Sequence, residues 1–277
     1  MILSSFGGPP SPHRQRLGRS LLMALLAAAW ATAWTAGTGA QAPAAARPAG
    51  GALPRTSDGK PNLNGIWQVM NTAHVNLEAH SAAPGMPGGL GVVDGDDIPY
   101  RPDAKAKRVE NASKRAQLDP VGKCFIPGVP RATYMPFPFQ IAQTAQHVAI
   151  AYEFAHTQRI IYTDGTPHPG DLDFWMGDSR GKWEGDTLVV DNTHFNDRTW
   201  FDMAGNYHSD ALHVVERYTL ADGGRRIDYA ATIEDPQVFT RPWTIRMPIY
   251  KRVEPNLQLV DYDCVDFFWL DYFRQKK

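Results

Sequence analysis

Acids and histidines crowd one stretch of this chain. Between Asp164 and Glu216, fifteen of 53 residues are Asp, Glu or His, about twice their density over all 277 residues. Aromatic residues interleave them: Phe174, Trp175, Trp183, Phe195, Trp200, Phe201 and Tyr207. Apolar walls carrying a few carboxylates and imidazoles are what a small-molecule site with shifted protonation requires. The sharpest candidates are His168, Asp197, Asp202, His208 and Asp210, flanking two segments, 164–178 and 196–210, that could meet at one mouth of a barrel. In this reading His168 and His208 shuttle protons near neutral pH. Asp202 or Asp197 orients them, and Arg159 holds a developing negative charge. Trp175, Trp200, Tyr207 and Glu216 line the substrate pocket.

Plainer roles compete for several of these residues. Asp164, Asp178 and Asp186 sit beside glycine and read as turn formers. Glu216 and Arg217 are neighbours in an apolar run, so one of them must point where the apolar side chains point. A buried Glu216–Arg159 pair is as readily structural as catalytic. His208-x-Asp210-x-x-His213 contains three metal-ligand types, but on a continuous strand the third faces away from the first two. His168, His208 and Asp210 are the set a metal would use, yet no zinc or cupin spacing is present, and neither a metal nor another cofactor is expected. Gly177-Asp-Ser179-Arg-Gly181 matches a nucleophile elbow, but a hairpin follows it where that motif needs a helix.

The elements that must position these groups alternate with period two. In 147–154, Val148, Ile150, Tyr152 and Phe154 share one face. Further strands fit 157–163, 179–184, 187–192, 211–219, 226–233, 243–250 and 257–265, with Pro248 at an edge or bulge. Residues 103–117 form the one expected helix, with Asp103 as its cap. Gly and Pro together make about 17% of the chain, above a ~12% background. The fold class is therefore all-β: an antiparallel up-and-down barrel or strongly curved meander in a single domain over 61–277.

Residues 1–40 read as a secretory signal: Arg14, Arg16 and Arg19, an Ala/Leu-rich run, then Thr38-Gly39-Ala40 at the cleavage site. Residues 41–60 read as a flexible leader. Cleavage near Ala40 removes three arginines and no acid, taking the net charge from −1 to −4. That lacks the basic excess of a nucleic-acid binder. No stable membrane anchor is expected after cleavage, and the location is periplasmic or secreted. In that oxidising compartment Cys124 and Cys264 pair as a disulfide, with two buried free thiols as the alternative.

Two resemblances follow. Gly65-x-Trp67 at the first strand resembles the start of lipocalin-type (calycin) barrels, which implies a Trp plug at one end and room for one small ligand inside. The chain is also similar to a large family of secreted bacterial proteins of unassigned function. It shares the segments Asp119–Cys124, Pro127–Arg131, Arg159–Gly165, Gly181–Asp191 (GKWEGDTLVVD), His208–Arg217 (HSDALHVVER) and Asp235–Trp243. The acid–histidine cluster in its aromatic setting, with no cofactor motif in sight, points to a periplasmic or secreted barrel enzyme doing lyase, isomerase or cyclase chemistry on a hydrophobic or aromatic small molecule. The main alternative is a non-catalytic carrier or sensor using the same pocket. A metal-dependent enzyme, a serine hydrolase and an envelope assembly protein stand behind these.

Overall fold

The computed structural model describes residues 52–262, apart from Gly85 and Asp96, together with Cys264. The expected secretion signal lies outside these residues, as does the leader up to Gly51. Nine strands close a barrel in chain order: β1 (Gly65–Val69), β2 (Phe139–Gln143), β3 (His147–Tyr152), β4 (Gln158–Tyr162), β5 (Asp178–Glu184), β6 (Thr187–Thr193), β7 (His213–Ala221), β8 (Arg226–Glu234) and β9 (Trp243–Lys251).

The number nine has a consequence for strand direction. A strictly alternating barrel of nine strands would bring its first and last together in parallel. Here β1 and β9 close antiparallel, so one other pair must run parallel. It is β4–β5, joined by two rungs only, Ile161 opposite Ser179 and Tyr162 opposite Arg180. The barrel is thus mixed where a wholly antiparallel meander is expected. Loop 163–177 carries the chain from the end of β4 back to a parallel start. That loop and the short seam behind it hold much of the acid–histidine cluster.

Strand alternation sets the core. On β7 the burial pattern places Val214, Glu216, Tyr218 and Leu220 inside while Arg217 is exposed. The same alternation buries Val148, Ile150 and Tyr152 on β3, and Ile227, Tyr229, Ala231 and Ile233 on β8. Trp67 is fully buried and donates its indole N–H to the Leu63 carbonyl at 2.8 Å. Pro248 falls one residue past the β1 ladder, where β9 keeps β8 alone as a strand partner. Its missing N–H therefore breaks no rung there. Beyond it, residues 92–94 cover the free edge: Arg246 N–H reaches the Val92 carbonyl and Asp94 N–H the Thr244 carbonyl, both at 2.8 Å.

Three local expectations change. Helix α1 spans Pro102–Ser113 and breaks at Lys114 before a single turn, α2 (Arg115–Leu118). Pro102 opens α1, so Asp103 lies in its first turn and Arg101 holds the cap position. Residues 257–262 form no strand; one parallel bridge joins Tyr262 to Phe154. The described part of the leader is folded down, with Arg55 bonded to Asp186 at 3.0 Å and the Asn62 N–H on the Pro54 carbonyl at 2.8 Å. A disulfide joins Cys124 to Cys264, and no helix among the described residues is long and apolar enough to cross a membrane.

Helix α1 is held by a close approach that only glycine permits. Gly205 has φ +84°, and a Cβ there would lie 2.6 Å from the Ala112 nitrogen and 2.8 Å from the Arg108 carbonyl oxygen. Gly205→Ala should lower stability by about 1–3 kcal/mol, through strain and displacement of α1. Denaturant melts test this; an unchanged midpoint would mean the helix is not pinned there.

Candidate active site

The acid–histidine cluster gathers on the outer face of β5–β7, under loop 163–177. Strand period puts Asp178 and Arg180 on one face of β5, Asp191 on the matching face of β6, and His213 on that same face of β7, two residues from Val215, which stands opposite Asp191. His168 drops onto them from the loop. Asp178 accepts from Arg180 Nε at 2.6 Å and Nη2 at 2.9 Å, and from His168 Nδ1 at 2.6 Å. A carboxylate so paired to a guanidinium is ionised and can only accept, so His168 carries its proton on Nδ1. Its Nε2 is buried with no hydrogen-bond partner.

What faces that nitrogen is another acceptor. Asp191 Oδ2 lies 3.5 Å from His168 Nε2, while Asp191 Oδ1 takes the Nε2–H of His213 at 2.5 Å. A neutral imidazole's lone pair and a carboxylate oxygen repel one another. The arrangement is satisfied when His168 Nε2 holds a proton facing Asp191. Thr193 Oγ sits 3.2 Å from His168 Nδ1 and 2.7 Å from His194 Nδ1, and His194 stacks on His168 with ring centroids 5.6 Å apart.

Beside this array is a recess of about 450 Å³, lined by Tyr162, Thr166, Arg180, Lys182, Asp191 and His213 over a floor of Gly181, Val189 and Val215. Arg180 lies over the Tyr162 ring at 4.5 Å and bonds Thr166 Oγ at 2.6 Å. The recess itself offers the His213 imidazole, the Arg180 and Lys182 cations and an apolar floor, and His168 adjoins it through Arg180's partner Asp178 and through Asp191.

The remaining candidates are dispersed. Arg159 and Glu216 form a buried pair inside the barrel. Around it, Arg159 Nε donates to Ser179 Oγ at 2.9 Å, and Tyr218 and Tyr229 donate their hydroxyls to Glu216 Oε1 at 2.9 and 2.7 Å. Burial, then the Glu216 charge, pushes both tyrosines well above their ordinary range, keeping them as donors. Burial alone would lower the guanidinium, but Glu216 overrides it and holds Arg159 well above its ordinary value. Arg159 thus sits apart from the recess, and Ser179 is a strand residue bonded to Arg159 and Asn192 with no histidine on it. Arg159, Ser179 and the half-buried Trp175 share a smaller recess of about 350 Å³ at the β4–β5 seam.

His208 is buried, with Nε2 on Thr199 Oγ at 2.7 Å and Nδ1 on the Ser209 carbonyl at 2.8 Å; burial holds its pKa low. Both ring nitrogens are engaged, so it neither pairs with His168 nor ligates with Asp210, which is exposed and bonded by Gln237. No group of three metal-ligating side chains gathers among the described residues. Asp202 orients no imidazole. It is buried and accepts from the N–H groups of Leu77, Ala204 and Asn206 and from Asn206 Nδ2, tying loop 202–206 to residue 77. Asp197 is exposed. Trp200 and Tyr207 pair across the same loop, and Tyr207 bonds the Ala104 carbonyl of α1. The carboxylate partners that matter, Asp178 and Asp191, were legible only as a turn former and a strand residue. The period-two match of β5 to β6 is the signal that would place both on one face.

A second imidazole outside this cluster, His74, has its pKa lowered to about 4, by burial first and then by Arg131. Asp202 is raised to about 6 by burial, against its hydrogen bonds. The two have opposite linkage. Stability due to Asp202 is present below its ordinary pKa of 3.8 and is lost as pH rises through about 6. Stability due to His74 is present above its ordinary 6.5 and is lost as pH falls through about 4. His74→Gln removes only the second effect. Wild type should therefore gain on this variant by about 1–2 kcal/mol between pH 4 and 6.5, allowing for screening of a partly exposed ring. Denaturant melts across that range would show a flat difference if His74 did not titrate this way.

No protein-family model matches the chain, and no curated protein or solved structure matches it either. What fold and geometry define is a closed nine-stranded mixed barrel with an imidazole–carboxylate array on its outer wall.

Proposed function

We propose that this chain is a secreted enzyme that moves a proton on a small apolar or aromatic molecule, in lyase, isomerase or cyclase chemistry. The observation that carries the reading is His168: Nδ1 is locked by Asp178, and Nε2 is buried, unpartnered and turned toward an acceptor. A substrate X–H that reaches Nε2 from the recess, taking the place of the Asp191 carboxylate there, gives its proton to Nε2. The imidazolium so formed lies between the carboxylates of Asp178 and Asp191, both of which stabilise it. Arg180 and Lys182 face the negative charge left on substrate, and Val189, Val215 and the Tyr162 ring hold its apolar part. Return of the proton to another atom completes an isomerisation; loss of a leaving group completes an elimination. Relative to the roles expected from sequence, His168 keeps its part, Asp178 takes that of Asp202, and Arg180 takes that of Arg159.

His168→Gln keeps size and polarity but removes the base. It should lower turnover about a hundredfold or more while substrate affinity changes little. Asp178→Asn should lower turnover with a displaced pH profile, because it frees the tautomer. Single-turnover kinetics with binding measured separately is the test. A carrier in the lipocalin manner would instead tolerate both changes, showing at most a modest loss of affinity.

A further inference from the structure

A second cavity lies where α2, the turn at 119–123 and the end of the described chain come together. It holds about 380 Å³, and its lining includes His74, Arg115, Ala116, Asp119, Arg131 and Cys264. It shares no lining residue with the recess beside His168. Its walls divide by chemistry. Val121, Met135, Pro136, Phe154 and Met203 make an apolar side. The polar side is Arg131, with Nη1 and Nη2 bound to the two oxygens of Asp119 at 2.8 and 2.9 Å. That side chain is 2% exposed, and its Nε is buried with no hydrogen-bond partner. His74 Nδ1 is buried and unpartnered too.

A guanidinium N–H can only donate and cannot shed its proton, so an orphaned one in a buried wall calls for an acceptor from outside the protein. Asp119 also takes the Val121 N–H at 3.0 Å, and so is already engaged by three donors. Among the lining groups, Arg115 and Arg131 against Asp119 leave one positive charge, because burial keeps His74 neutral near pH 7. One excess charge, two unpartnered polar atoms on lining residues and an apolar remainder describe a complementary ligand: one charge, two acceptor oxygens, a hydrocarbon body.

We propose that this cavity is a binding site for a small monocarboxylate with an aromatic or short aliphatic body. One carboxylate oxygen accepts from Arg131 Nε, and the other accepts from His74 Nδ1. The body lies against Met135, Phe154 and Met203. The site goes beyond the proton-transfer reading and does not depend on it.

The test is calorimetric titration of the oxidised protein with benzoate and with its neutral counterpart benzyl alcohol. Benzoate should bind one to one and at least about tenfold more tightly than the alcohol, since a charge-assisted hydrogen bond is at stake. Ala116→Trp, placed at an exposed lining position so that the fold tolerates it, should abolish binding. His74→Phe should weaken benzoate several-fold by removing its second donor while leaving the weaker binding of the alcohol, with Arg131 keeping part of the preference. His168→Gln should change neither, which separates this site from the recess. Equal affinity for the two probes, benzoate binding that survives Ala116→Trp, or no binding at all would each overturn the proposal.

Discussion

Glu216→Ala is expected to be the most damaging single change inside the barrel, destabilising by about 3–5 kcal/mol. The side chain is wholly buried and collects Arg159, Asn192, Tyr218 and Tyr229. Removing it leaves a guanidinium charge and two phenol hydroxyls in the core without their acceptor, and each orphaned group carries its own desolvation penalty. The pair itself is worth much less, because bringing two charges out of water offsets most of their attraction. The double variant Arg159→Met/Glu216→Leu should therefore recover the part of the loss that comes from the orphaned charge, while Tyr218 and Tyr229 stay without their acceptor. Chemical denaturation of Arg159→Met, Glu216→Leu and the double variant provides the cycle, with Glu216→Ala measured beside them. A double variant as unstable as the single would mean that the pair, and not the orphaned charge, sets the energy. Since Arg159 and Glu216 lie apart from the recess beside His168, surviving folded variants should retain proton-transfer activity.

Opening the disulfide should have an effect of similar size. Cys124 and Cys264 are 140 residues apart in sequence, and the bond ties the turn after α2 to the end of the described chain. Closing a loop of that length removes denatured-state entropy equivalent to about 5 kcal/mol in the chain-entropy treatment. For a domain of this size that corresponds to a fall in melting temperature of roughly 10–20 °C. Cys264→Ser or a reductant should both produce it, and adding reductant to Cys264→Ser should do nothing more. Because Cys264 also lines the cavity at Arg131, reduction should weaken benzoate binding as well. A melting temperature unchanged by reduction would show that the C-terminal tie contributes little.

The strands were legible because they are amphipathic and long. His147–Tyr152 and His213–Ala221 alternate so regularly that their inner faces can be read directly, and the inward turn of Glu216 follows from its place among Val214, Tyr218 and Leu220. Strand β2, with Pro136 and Pro138 just ahead of it, is only five residues long and escaped. The parallel β4–β5 seam escaped too, since two rungs leave no periodicity to read and the parity of a nine-strand closure shows only once all nine are counted.

At the site, His168 was legible by type and company, but its partner was not. Asp178 beside Gly177 looks like a turn residue, and only the pairing of β5 with β6, Asp178 against Thr193, brings it under the loop imidazole. His208 and Asp202 were attractive for the reason that makes them structural: polar side chains in an aromatic loop are buried there and bond to the backbone and to Thr199. His74 and Arg131 gave no local signal, because their cavity is assembled from six separate stretches of chain.

The most direct test of the account is solvent-deuterium uptake. The protein is incubated in D₂O with small molecules extracted from the cells that make it, and each compound that it binds is weighed for carbon-bound deuterium by mass spectrometry. The account predicts deuterium in a bound apolar or aromatic compound, lost in His168→Gln although that variant still binds the compound. A wild-type protein that binds the compound and leaves its hydrogens unexchanged would contradict proton transfer at His168 and make the barrel a carrier.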